Sequence, residues 1–95
     1  MIQKMLEVST MNITEATSQW LIQQAKKTED NKMDLIVYEK GPYGVFIPIY
    51  TDMFKDKVIP DQLVFLVGYA VGKGCYWIMI DRDAEVIDDL PTYDW

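Results

Sequence analysis

Histidine is absent from the chain, and cysteine occurs once, at Cys75. The first absence excludes imidazole-based triads and histidine zinc sites; the second excludes an intrachain disulfide and a multi-cysteine metal site. A lone cysteine fits a reducing compartment, so the expected location is the cytoplasm. Basic residues are scarce: nine Lys and Arg stand against fifteen Asp and Glu, a net charge of -6. That sign is opposite to what a phosphate binder needs and points away from nucleic acid as a direct partner. Long apolar runs are lacking too. The longest, Val64 to Gly72, falls far short of the roughly 20 residues that span a bilayer, and Met1 to Glu7 has no hydrophobic leader region. No membrane association and no cofactor are expected. Gly72-x-Gly74 follows an apolar run instead of opening a helix, so it reads as helix termination and not as a phosphate loop.

What is present supports one compact domain, residues 1–95. Of its residues 49% are hydrophobic and 25% charged, enough apolar surface to fold. Lys4 to Ser9 alternates and reads as a strand. Asn12 and Glu15 have the spacing of a capping box, with Thr14 as the alternative cap, before an amphipathic helix that ends near Lys27. The polar run Lys27 to Lys32 is a loop. Leu35 to Glu39 and Val45 to Tyr50 flank Gly41-Pro42-Tyr43-Gly44, a hairpin signal. A turn centred on Pro42-Tyr43 pairs Ile36 with Ile49, Tyr38 with Ile47, Val37 with Pro48 and Glu39 with Phe46. Pro48 lacks a ladder donor, so its strand is an edge or its nitrogen points away from a neighbour.

Pro60 and Asp61 open a second helix over residues 60 to 71, although its β-branched content also suits a strand. Cys75 to Ile80 reads as a buried strand, with Cys75 itself a small buried apolar residue, followed by an Asp-rich turn and a return strand at Glu85 to Ile87. The order is β-α-β-β-α-β-β, an α+β fold with a mostly antiparallel sheet and both helices on one face. A ferredoxin-like βαββαβ plan extended by one strand satisfies this order. The expected core is Trp20, Leu21, Val37, Ile47, Leu63, Leu66, Ala70, Trp77 and Met79.

Charge is concentrated at the end of the chain. The last fifteen residues hold six acids, Asp81, Asp83, Glu85, Asp88, Asp89 and Asp94, against one base, Arg82. In an extended segment Asp81, Asp83 and Glu85 would share one face at about 6.6 Å spacing, which admits a hard divalent cation and, as an alternative function, a small Mg²⁺- or Mn²⁺-dependent enzyme. The competing reading is an Asp-rich turn with solvated carboxylates. Neither a raised carboxylate pKa nor a cysteine beside a base is signalled, so catalysis is not expected. Aromatic residues at expected edges, Tyr43 at the hairpin tip and Tyr93 and Trp95 in the tail, are candidate anchors for a protein partner. The second helix is apolar all round, and such a helix must be covered on every side, by its own chain or by a second copy in a homodimer.

The chain carries a start, Ser9-Thr10-Met11-Asn12-Ile13-Thr14, and an end, Trp77-Ile78-Met79-Ile80-Asp81-Arg82-Asp83-Ala84-Glu85-Val86-Ile87-Asp88-Asp89-Leu90-Pro91-Thr92-Tyr93-Asp94-Trp95. With the hairpin between them, these resemble a family of short bacterial, plasmid and phage domains of unknown function. Members carry His where this chain has Asn12 and Gly where it has Ala84, so imidazole chemistry does not transfer and the second turn needs no left-handed glycine. The resemblance implies cargo of a mobile element, a setting rich in anti-defence genes. The functional expectation is an inhibitor that binds a host defence protein, a CRISPR effector or restriction complex. Asp81, Asp83, Asp88 and Asp89 would meet its basic groove, and Tyr43, Tyr93 and Trp95 would anchor the contact.

Overall fold

The computed structural model describes residues 1–28 and 33–95. Strand β1 (Met5–Ser9) leads through a 3-10 turn (Thr10–Asn12) into helix α1 (Glu15–Thr28). Strands β2 (Tyr38–Lys40) and β3 (Gly44–Pro48) follow, joined by a second 3-10 turn (Gly41–Tyr43). Helix α2 (Asp61–Gly72) and strand β4 (Trp77–Asp81) complete the fold. Of the run expected as a loop, residues 29–32 lie outside the described residues, and Lys27 and Thr28 close α1.

The fold is α+β: two helices on a four-stranded mixed sheet of order β1-β4-β3-β2. β1 runs parallel to β4, and the other two pairings are antiparallel. The strand order is not that of a ferredoxin-like sheet, where the first strand is interior. Here β1 takes an edge, and after the connection through residues 49–60 and α2 the chain enters as β4 between β1 and β3.

Alternation along the strands divides the sheet into two faces. Leu6, Val8, Val45, Ile47, Ile78 and Ile80 share one face and pack with Leu21 and Ala25 of α1 and Leu63, Leu66, Val67 and Ala70 of α2 in a single core. The other face carries Met5, Tyr38, Phe46, Trp77 and Met79. Trp77 belongs there, half-buried, with its ring centroid 6.5 Å from that of Tyr38, and not in the core where it was expected. Trp20 is likewise half-buried at the core margin. The remaining expected core residues are buried, but Met79 lies on the same face as Trp77 and outside that core.

Three local expectations are corrected. The α1 cap is Thr14, whose Oγ1 accepts from the backbone N–H of Thr17 at 3.1 Å, and Asn12 is engaged elsewhere. The hairpin register is shifted by one, with Tyr38 opposite Phe46 and Glu39 opposite Val45, because the connection has three residues and Gly41 adopts φ +53°. Glu85–Ile87 is not a strand, since the backbone of Ile87 is bonded to the side chain of Asn12. Pro48 behaves as anticipated: Ile49 N–H donates to Tyr76 at 2.9 Å, so the alternate nitrogen of Pro48 points away from β4, beyond the last β2 pair.

Candidate functional site

The ends of β1 and β4, the first turns of α1, the hairpin tip and the C-terminal residue meet around a cleft of about 400 Å³. Its floor is apolar, built from Ile13, Leu21, Val45 and Ile80, and its rim carries Glu39, Tyr43, Arg82 and Trp95. The size suits one large side chain or a small ligand.

Each rim residue is fixed by a local cause. The 3-10 turn Gly41–Tyr43 presents Tyr43, 45% exposed, beyond the sheet. Arg82, the first residue after β4, donates its backbone N–H to the Tyr43 carbonyl at 3.0 Å and holds its guanidinium 4.6 Å from the Tyr43 ring centroid. This cation–π contact leaves the guanidinium fork without an ion pair to any described residue, and Glu39 is likewise unpaired among them. Trp95 is 52% exposed and tethered by its indole N–H, which donates to the Ile13 carbonyl at 2.9 Å.

The tail that delivers Trp95 is held by Asn12, which is 3% exposed. Its Oδ1 accepts from Ile87 N–H at 2.8 Å, while its Nδ2 donates to the carbonyls of Ile87 at 3.2 Å and Pro91 at 3.1 Å. The side-chain amide thus does for Ile87 what a neighbouring strand would do. Tyr93 N–H donates to Met11 at 2.8 Å, and Leu90 is buried. Gln62 ties this region to α2: its Nε2 donates to the Asn12 carbonyl at 3.2 Å and its Oε1 accepts from Thr14 N–H at 2.8 Å.

Of the residues singled out in the sequence, Tyr43 and Trp95 come together at the cleft. Tyr93 is half-buried in the tail and lines a separate recess beside Phe65 and Asn12. Asp83, Asp88 and Asp89 are exposed. Asp81 is not: it is buried and paired with Lys40, and its Oδ1 accepts from Asp83 N–H at 2.7 Å. That hydrogen bond turns the chain at Arg82 and Asp83, so Asp81, Asp83 and Glu85 do not form the shared face of an extended segment. Among the described residues no group of three or more His, Cys, Asp and Glu side chains is placed to hold a metal ion. The hydrogen bond from Lys40, followed by that from Asp83, holds the Asp81 carboxyl below its ordinary value.

Arg82, Glu39 and Asn12 were not identified as site residues in the sequence. Arg82 stood out only as the single base of an acidic end, and the clamp on Ile87 joins residues too far apart in the chain to leave a spacing signal. Among the described residues no helix is long and apolar enough to cross a membrane. No curated protein and no solved structure matches the chain. Residues 5–95 match the C-terminal domain of DUF5983, a family of unknown function, and the chain belongs to that family.

Proposed function

We propose that the domain is a non-catalytic protein-binding inhibitor, carried by a phage or other mobile element, that docks on a host defence protein such as a CRISPR effector or restriction complex in the host cytoplasm. The observation that carries this reading is the convergence of Tyr43 and Trp95 on one cleft, both about half exposed, beside the unpaired guanidinium of Arg82. Tyr, Trp and Arg are the side chains that most often dominate protein interfaces, because each combines a large rigid surface with a polar tip. The exposed carboxylates Asp83, Asp88 and Asp89 add a field that draws in a basic partner surface. Asp81 takes no part in the contact, since its carboxylate is committed to Lys40.

The test is a pull-down from host lysate, coupled to a phage-restriction assay. The double variant Tyr43→Ala, Trp95→Ala should lose the partner, and Asp83→Asn, Asp88→Asn, Asp89→Asn should weaken capture most at low salt. Retention of the partner by the aromatic double variant rejects the cleft as the docking site. Unchanged restriction by the host in the presence of the wild-type protein rejects the anti-defence role.

A further inference from the structure

Strand β2 is an edge of the sheet, and the direction of its backbone groups follows from β3. On either side of β3, the Tyr43 carbonyl accepts from Arg82 N–H at 3.0 Å and Ile49 N–H donates to the Tyr76 carbonyl at 2.9 Å. Backbone groups alternate in direction along an antiparallel strand. Val45 and Ile47 therefore bond to β4 as Tyr43 and Ile49 do, while Gly44 and Phe46 bond to Lys40 and Tyr38 of β2. Glu39, between those two, turns its N–H and C=O out of the sheet, and neither meets another group among the described residues. Such an edge is a template for a further strand.

This edge opens on the cleft, which Glu39 and Gly41 both line. Resting on the docking reading above, we infer that the partner contributes an extended segment that adds antiparallel to β2, with a basic side chain beside Glu39 and an apolar one in the cleft. Glu39 is the only residue of β2 that faces outward, and an antiparallel partner uses both of its groups with a single residue, whereas a parallel one needs two. Alternation then fixes the side chains. The residue paired with Glu39 lies on the face shared by Glu39, Val45 and Ile80, and so does the residue two before it, opposite Gly41. Charge selects a base for the first position, because the Glu39 carboxylate has no ion pair among the described residues. Space selects an apolar side chain for the second: Gly41 has no side chain, a Cβ built there would meet nothing within 4 Å, and the floor beyond it is Val45 and Ile80. A second copy of this chain is disfavoured as the added strand, since pairing two β2 edges about Glu39 sets like charges opposite each other.

The probe is the blocked peptide Thr-Val-Phe-Thr-Arg-Val-Thr, titrated to millimolar concentration into the intact protein and followed by backbone amide NMR. Saturation should slow hydrogen exchange at Glu39 N–H at least about tenfold and leave Tyr38 and Lys40, already bonded to β3, nearly unchanged. Methylating the peptide nitrogen of Arg, which removes the donor to the Glu39 carbonyl, should weaken binding at least about fivefold, and methylating that of the preceding Thr should not. Glu39→Pro removes the outward N–H at a position where the ladder does not use it, so the variant should keep its circular dichroism and lose the peptide. Absence of binding at millimolar peptide overturns the inference, as does binding without protection of Glu39. Equal binding of the two methylated peptides overturns it as well, whether or not Glu39→Pro folds. A host partner lost by Tyr43→Ala, Trp95→Ala but kept by a folded Glu39→Pro would leave the cleft as the docking site and overturn the strand addition alone.

Discussion

Lys40 reaches Asp81 across Gly44. The three occupy one row of the sheet, on β2, β4 and β3 respectively, and the middle position has no side chain to obstruct the crossing. The ion pair joins the edge hairpin to the central strand. Its carboxylate is buried, accepts from Asp83 N–H as well, and lies below its ordinary pKa of 3.8.

Acid should therefore loosen the fold through this residue. Because the pKa is depressed in the folded state, the folded chain binds fewer protons than the unfolded one. The stabilisation is complete above the unfolded value and is lost as pH falls through the folded value. Melting curves should show Tm dropping below about pH 4, and Asp81→Asn should make that drop shallower. Parallel pH profiles for the two proteins would show that the pair is not linked to folding.

Gly44→Ala should be among the most damaging single substitutions. A Cβ there would sit 1.7 Å from the Ile80 carbonyl oxygen, a backbone atom that cannot move without disturbing β4. The expected loss is about 3 kcal/mol or more in urea unfolding. A loss below about 1 kcal/mol would mean that β3 and β4 are not so closely apposed.

The clamp on the tail predicts a graded series at Asn12. Asn12→Ala leaves the backbone groups of Ile87 and the Pro91 carbonyl without their side-chain partner and should cost about 2–3 kcal/mol. Asn12→Asp retains the acceptor for Ile87 N–H and loses both donated bonds. Hydrogen exchange at Ile87 and Tyr93 reads the difference: fast in the alanine variant, and slower at Ile87 in the aspartate variant. Unaltered protection in the alanine variant would show that the tail is held by other contacts.

The two sides of α2 should respond oppositely. Leu63 is fully buried, so Leu63→Ala should cost about 3 kcal/mol through lost contacts and the cavity left behind. Phe65→Ala, measured on dilute protein, should lie within about 0.5 kcal/mol of wild type. Comparable losses at both positions would contradict the placement of the helix.

Divalent ions address the alternative of a metal-dependent enzyme. With Asp81 paired to Lys40, millimolar Mg²⁺ or Mn²⁺ should leave Tm unchanged. A rise that vanishes in Asp81→Asn would instead assign an ion site to the turn, since a ligand that binds only the folded form stabilises it.

Much of the fold was legible from local rules. The apolar spacing around Leu21, Pro60 ahead of Asp61 and the Gly72–Gly74 stop mark the two helices, and Gly41-Pro42 marks the hairpin, because capping, φ preference and periodicity act over a few neighbouring residues. The hairpin register was less accessible: whether Gly41 adds a third residue to the turn depends on how β3 seats against β4, and one residue shifts every pair. The same limit governed the site. Composition placed acids at the end of the chain and aromatics at its edges. Only the tertiary structure withdrew Asp81 into a pair with Lys40, made Asn12 the partner of Ile87 and set Tyr43 beside Arg82 and Trp95. Those contacts join residues distant in the chain, whose meeting depends on strand order and on the path of the tail, and neither carries a periodic or local signature.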